Sequence, residues 1–136
     1  MTVDGRGRIT MTGGGGTHRY ALLTARLTRR GVPDRSYGSA RNGRSITPGI
    51  GGNAITTCGI TSTRAGAVTV GVQSKLAQLL PNGLPNTRFA PGGVFQIDTP
   101  KQIFINALVG SGQRIVVAGS AGDAIYAGRY LLQRTR

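Results

Sequence analysis

The sequence predicts an all-β protein: a small antiparallel β-sandwich, jelly-roll or barrel with an extended basic N-terminal arm. Three observations carry that expectation. Short runs of Val, Ile, Thr and Ala alternate in hydrophobicity over much of the chain. Gly-rich turns punctuate them at near-regular spacing, the pattern of sandwiches and barrels. No pair of long amphipathic helices alternates with the strands, which disfavours a doubly wound fold. The 136 residues suit one domain plus an arm.

Residues 1–49 read as the arm and 50–136 as the β-sandwich body. The arm carries Arg6, Arg8, Arg19, Arg26, Arg29, Arg30, Arg35, Arg41 and Arg44, with two acids and a glycine run at Gly13 to Gly16. Such a segment lies extended across a partner and is mobile without one. Within it, HRYALLTARLTRRG admits two readings. Tyr20, Leu23 and Leu27 recur at helical spacing, whereas Ala21, Leu23, Ala25 and Leu27 alternate as a strand would. Strand is favoured, because everything downstream is β.

In the body, Ala54 to Thr61 forms a Thr/Ile-rich strand. Ala65 to Val72 places Val68, Val70 and Val72 on one face. SKLAQLLP is a helical turn or a strand ended by Pro81, and Asn82-Gly83 marks a turn. Val94 to Asp98 follows the bend Pro91-Gly92-Gly93. Ile103, Ile105, Ala107 and Val109 make one apolar face, Gly110-Ser111-Gly112 turns the chain, and Arg114 to Ala118 returns. Gly119 to Asp123 bends again before a last strand, Ala124 to Gln133, with Tyr126, Tyr130 and Leu132 on one side.

Composition narrows function. Seventeen basic residues face four acids, giving a formal net charge of +13, and Lys75 and Lys101 are the only lysines. A charge so far from zero implies an anionic partner, and Arg suits fixed bidentate contacts with carboxylate or phosphate. Twenty-three glycines without a Gly-X-Y period, and only six prolines, exclude collagen and indicate many turns. The single Cys58 forbids an intrachain disulfide and fits a half-buried strand position. No apolar run reaches transmembrane length, and the N-terminus lacks a signal-peptide core.

Catalytic patterns are thin. Pro91-Gly92-Gly93 leads into a strand and no Gly-x4-Gly-Lys-Ser/Thr occurs, so a bend is expected there, with no phosphate cradle. His18 is the only histidine, and no Glu is present to join Asp98 or Asp123 in acid–base work. One His, one Cys and scattered Asp make no metal set. The expectation is no enzyme, no cofactor, no metal site and no membrane partner.

AITTCGITSTRAGAVTVGV, QLLPNGLPNTR and FAPGGVFQIDTPKQIFINALVGSGQRIVVAG together resemble the small β-proteins of tailed-bacteriophage virions. Those are capsid cement or decoration proteins, and neck or tail adaptors. The resemblance implies a non-enzymatic protein of the virion that docks on acidic junctions of the major capsid protein and stabilises the shell. It also implies a homo-oligomer, with a trimer favoured. Arg19, Arg26, Arg29, Arg30, Arg35, Arg41 and Arg44 would then be docking residues. Alternatives are a neck or tail adaptor of the same particle, or an Arg-rich nucleic-acid-binding protein using Tyr20 and Tyr37 to stack bases.

Overall fold

The computed structural model describes residues 1–15, 21–50 and 57–132. The chain is built almost wholly from antiparallel strands in three sheets. The first sheet contains β1 (Thr2–Val3), β2 (Ile9–Gly15), β3 (Ala21–Leu27) and β4 (Arg44–Thr47). The second contains β5 (Thr57–Ser62), β6 (Val68–Val72), β7 (Lys75–Leu79) and β8 (Val94–Gln96). The third contains β9 (Ile103–Ser111), β10 (Arg114–Ala121) and β11 (Ala124–Leu131). In each sheet the strands neighbour one another in chain order, so the sheets are meanders, without the crossing connections of a jelly roll.

The described part of residues 1–49 therefore pairs as a sheet where an extended arm was expected. It is tied to the next sheet: Arg8 Nη2 donates to the Ala65 carbonyl at 3.0 Å, and the Thr2 and Ser62 hydroxyls lie 3.0 Å apart. Arginine density suggested a solvated tail. Pairing through backbone groups and short Thr/Ala/Leu runs outweighs it, because most of the described arginines stand at turns or exposed strand positions where their charge stays in water, while Arg8 and Arg26, turned inward, are paired with Asp4 and Asp34.

The second sheet is the middle layer. Val68, Val70, Val72 and Ala77 cluster with Leu22 and Ile50 on one side. On the other, Leu76 joins Ile97, Ile103, Ile105, Leu108, Ile115, Val117 and Leu132. All five residues of β6 are buried, which explains why its sequence lacks a polar face. Gly71 lets Ile105 approach the middle of this strand, where a Cβ would lie 2.9 Å from Ile105 Cγ2.

The first two sheets are copies of one design. Leu27 bridges Pro33 as Leu79 bridges Pro85. Asp34 N–H donates to the Arg26 carbonyl at 2.9 Å, as Asn86 N–H does to that of Gln78 at 2.8 Å. Asp4 Oδ1 accepts from Arg8 N–H, as Thr63 Oγ1 does from Ala67 N–H. Gly43 at φ 80° and Gly93 at φ 75° occupy the same niche, each against a proline Cβ, a strand carbonyl and a backbone nitrogen. The sequence signal is a shared Leu-x3-Gly-apolar-Pro-Asp/Asn, at Leu27 to Asp34 and Leu79 to Asn86.

Several local expectations hold. SKLAQLLP contains strand β7, β3 is a strand, Cys58 is half-buried in β5, and Tyr126, Tyr130 and Leu132 share the core side. Pro91–Gly93 is a 3-10 turn that feeds β8. Others are corrected. The last bend is tighter, since β10 runs on to Ala121. In β3 the alternation runs the other way: Leu22, Thr24 and Arg26 are buried while Leu23 is exposed. In β9 a bulge sets Ala118 opposite Ala107 but Gly119 opposite Ile105. The extra residue, Asn106, flips the remainder, so Leu108 points inward while Ala107 and Val109 face out. His18 and residues 54–56 lie outside the described residues.

Candidate functional site

The basic residues of the first sheet divide into an internal pair and an external set. Arg26 is fully buried. Strand parity turns it inward, and the tight return through Pro33 brings Asp34 against it. Arg26 Nε donates to Asp34 Oδ2 at 2.8 Å, Nη2 reaches Ser36 Oγ at 3.3 Å, and the guanidinium carbon sits 4.3 Å from the Tyr37 ring centroid. Arg26, expected at a docking surface, is thus part of the core. Tyr37 is buried as well, its hydroxyl within 2.9 Å of Thr24 Oγ1, so it offers no stacking face to a base.

Arg8 is the second internal cation. Its Nε lies 2.7 Å from Asp4 Oδ2, and its Nη1 lies 3.9 Å from Asp34 Oδ2. Burial alone would raise the Asp4 carboxyl pKa, but the Arg6 and Arg8 backbone N–H groups and the Arg8 guanidinium outweigh it and hold it below the ordinary value. Asp34 behaves alike: burial is opposed by the hydroxyl and N–H of Ser36 and by Arg26, with a net lowering. Burial, reinforced by Arg8, lowers the Arg26 pKa, with Asp34 opposing. Burial also raises that of Tyr37. Both acids of residues 1–49 are therefore consumed inside the fold.

The external set has no such partner. Arg29, Arg30, Arg35, Arg41 and Arg44 are exposed and form no ion pair with another described residue. Arg29 and Arg30 stand on the turn between β3 and Pro33. The matching turn of the second sheet, Asn82-Gly83, is seated instead: Gly38 N–H donates to the Asn82 carbonyl at 2.8 Å, and Ser45 Oγ donates to that of Gly83. Beside this seat opens a polar cleft of about 570 Å³, lined by Arg35, Arg41, Ser36, Ser39 and Asn82. Arg41 stands at φ 52°, a conformation rare outside glycine, in a loop where its own N–H donates to the Gly38 carbonyl at 3.0 Å and the Gly43 N–H donates to that of Tyr37 at 3.1 Å.

Arg44 points elsewhere. With Met11, Leu23, Ala25 and Ile46 it borders an apolar groove of about 430 Å³ on the outer face of the first sheet. Sequence reasoning missed this groove, because it read residues 1–49 as an extended arm, which has no sheet face to carry one. Arg19 lies outside the described residues.

Elsewhere, Asp123 is exposed and pairs with Lys101 at 3.1 Å, while Asp98 is exposed at the end of the second sheet. Among the described residues no three His, Cys, Asp or Glu side chains gather as metal ligands. No helix of the described residues is long and apolar enough to cross a membrane. No protein-family model, curated protein or solved structure matches the chain.

Proposed function

We propose that this is a non-enzymatic docking protein of a tailed-phage virion, acting as a capsid cement that binds acidic junctions between coat subunits. The observation that supports this reading is the segregation of charge in the first sheet. Asp4 and Asp34 neutralise the half-buried Arg8 and the buried Arg26, leaving Arg29, Arg30, Arg35, Arg41 and Arg44 as a cationic surface. The apolar groove beside Arg44 favours a protein partner over nucleic acid. An apolar centre rimmed by arginine has the composition of protein interfaces, whereas a phosphate backbone offers such a groove nothing.

Cement action follows from those contacts: bidentate Arg–carboxylate pairs spanning two coat subunits add free energy that must be lost before the subunits separate. The test is to mix the chain with expanded, undecorated capsids and follow binding and capsid melting. Saturable binding with raised thermal stability is expected, weakened by Arg35→Ala/Arg41→Ala. Absence of binding, or tighter binding to duplex DNA than to capsids, overturns it. A copy number confined to one vertex would assign the chain to a neck or tail adaptor instead.

A further inference from the structure

We propose that the polar cleft between Arg35, Arg41 and Asn82 is a pocket for two carboxylates carried two residues apart on one extended acidic segment of a partner protein. The pocket deepens the docking reading, resting on it for the partner being a protein.

The duplicated design isolates what one copy has added. The two corners begin alike: Tyr37 N–H donates to the Asp34 carbonyl at 2.9 Å, and Phe89 N–H donates to that of Asn86 at 3.0 Å. They end alike, at Gly43 and Gly93. Between those points the chains differ in length. In the second sheet only Pro91 and Gly92 separate Ala90 from Gly93, whose N–H donates to the Ala90 carbonyl at 2.8 Å. In the first sheet Ser39, Ala40, Arg41 and Asn42 separate Gly38 from Gly43. A two-residue link closes this corner, so the first sheet carries two residues more than the fold requires. The longer link brings in Arg41 at φ 52°. Non-glycine residues in the left-handed region are uncommon, and they gather at binding sites, where the strain is offset by function.

The added loop completes a cationic wall. Arg35 and Arg41 border the cleft, both are exposed, and neither forms an ion pair with another described residue. The adjacent acid, Asp34, is already engaged by Arg26 and Ser36. Ser39 contributes a hydroxyl to the lining. Asn82 Oδ1 accepts from the Leu84 N–H at 3.1 Å, which leaves Nδ2 as a donor. The far wall is fixed in advance, since Gly38 N–H and Ser45 Oγ hold the Asn82-Gly83 turn. A preformed wall lowers the ordering cost of binding.

The lining also selects the ligand. Each guanidinium fork matches one carboxylate, and residues two apart on an extended segment face the same side. The hydroxyl and amide donors take the remaining lone pairs. Leu84, 41% exposed, borders the same cleft and offers an apolar contact that an isolated phosphate cannot use. Tyr37 is buried, so no aromatic face meets a nucleobase.

Titration calorimetry of the full chain tests the pocket. The probe is an acetylated, amidated peptide containing Glu-Ala-Glu-Leu, with the Gln-Ala-Gln-Leu peptide and inorganic phosphate as comparisons. Saturable binding of the diacid peptide alone is expected. Arg41→Gly, and deletion of Ala40 with Arg41 to match the shorter link, should each weaken it at least about tenfold. Both variants should melt no lower than the parent, because glycine adopts φ 52° freely and the second sheet closes with the shorter link. Equal binding of the amide peptide, tighter binding of phosphate, or undiminished binding in both variants overturns the proposal. So does a loss of stability in both variants, which would make the loop a structural element. Peptide binding without capsid binding supports the pocket and removes the capsid reading alone. Capsid binding that Arg41→Gly and the deletion leave unchanged removes the pocket alone.

Discussion

At the scale of single residues, the buried Arg26–Asp34 pair is the feature with the largest energetic consequence. Gln78 and Asn86 hold the same two positions in the second sheet, joined by a hydrogen bond between their neutral side chains. The fold thus accepts either an ionic or an amide pair, provided both partners match. Asp34→Ala strands a guanidinium with no exposed surface, at a cost of about 3–5 kcal/mol. The double change Arg26→Gln/Asp34→Asn installs the second sheet's solution and should recover most of that loss in urea unfolding. Acid tells the same story. The carboxyls of Asp4 and Asp34 are lowered in the folded chain, so they contribute stability that is fully present above the unfolded value near 3.8. That contribution is lost as pH falls through the folded values. Melting temperature should therefore drop below about pH 4, and Asp34→Asn should flatten the drop.

At the scale of elements, duplicated turns and one bulge decide which faces are buried. Gly43 and Gly93 close equivalent corners at positive φ, with a backbone atom only 3.0 Å and 2.9 Å, respectively, from where a Cβ would stand. Gly43→Ala and Gly93→Ala should each destabilise by more than about 2 kcal/mol, combining a left-handed penalty of about 1–2 kcal/mol with the displaced backbone. Similar losses at the two sites, measured by denaturant midpoint, would express the equivalence of the corners. In β9 the bulge at Asn106 makes Leu108 a core residue. Leu108→Ala should cost about 2–4 kcal/mol, whereas Val109→Ala, at a position 64% exposed, should leave stability nearly unchanged. An unbroken alternation from Ile103 assigns those two roles in reverse.

For the whole molecule, three stacked sheets keep a modest aliphatic core dry without tryptophan, because β6 and most of β7 in the middle sheet are buried on both faces. Charge is displaced to turns and outer faces, so the +13 is a surface property and long-range repulsion is tempered by salt. Docking on an acidic shell should weaken steeply between about 0.05 and about 0.5 M salt, as read by capsid pull-down.

Much of the architecture was legible along the chain. β-branched runs, Gly-rich turns and the shared face of Val68, Val70 and Val72 come from local propensity and patterning, which act over a few residues. Candidate arginines could be named but not sorted. Arg26 and Arg35 look alike in a sequence, and only strand parity together with the returning Pro33 turn separates a core cation from a surface one. The sequence by itself determined that this is a strand-built, turn-rich and strongly cationic chain. Tertiary structure alone decided that the basic N-terminal stretch is a paired sheet and that Arg26 is internal. It also decided which apolar residues face water. The physical reason is that side-chain direction in a strand has period two. One bulge or one choice of register, fixed by contacts distant in sequence, reverses every residue that follows.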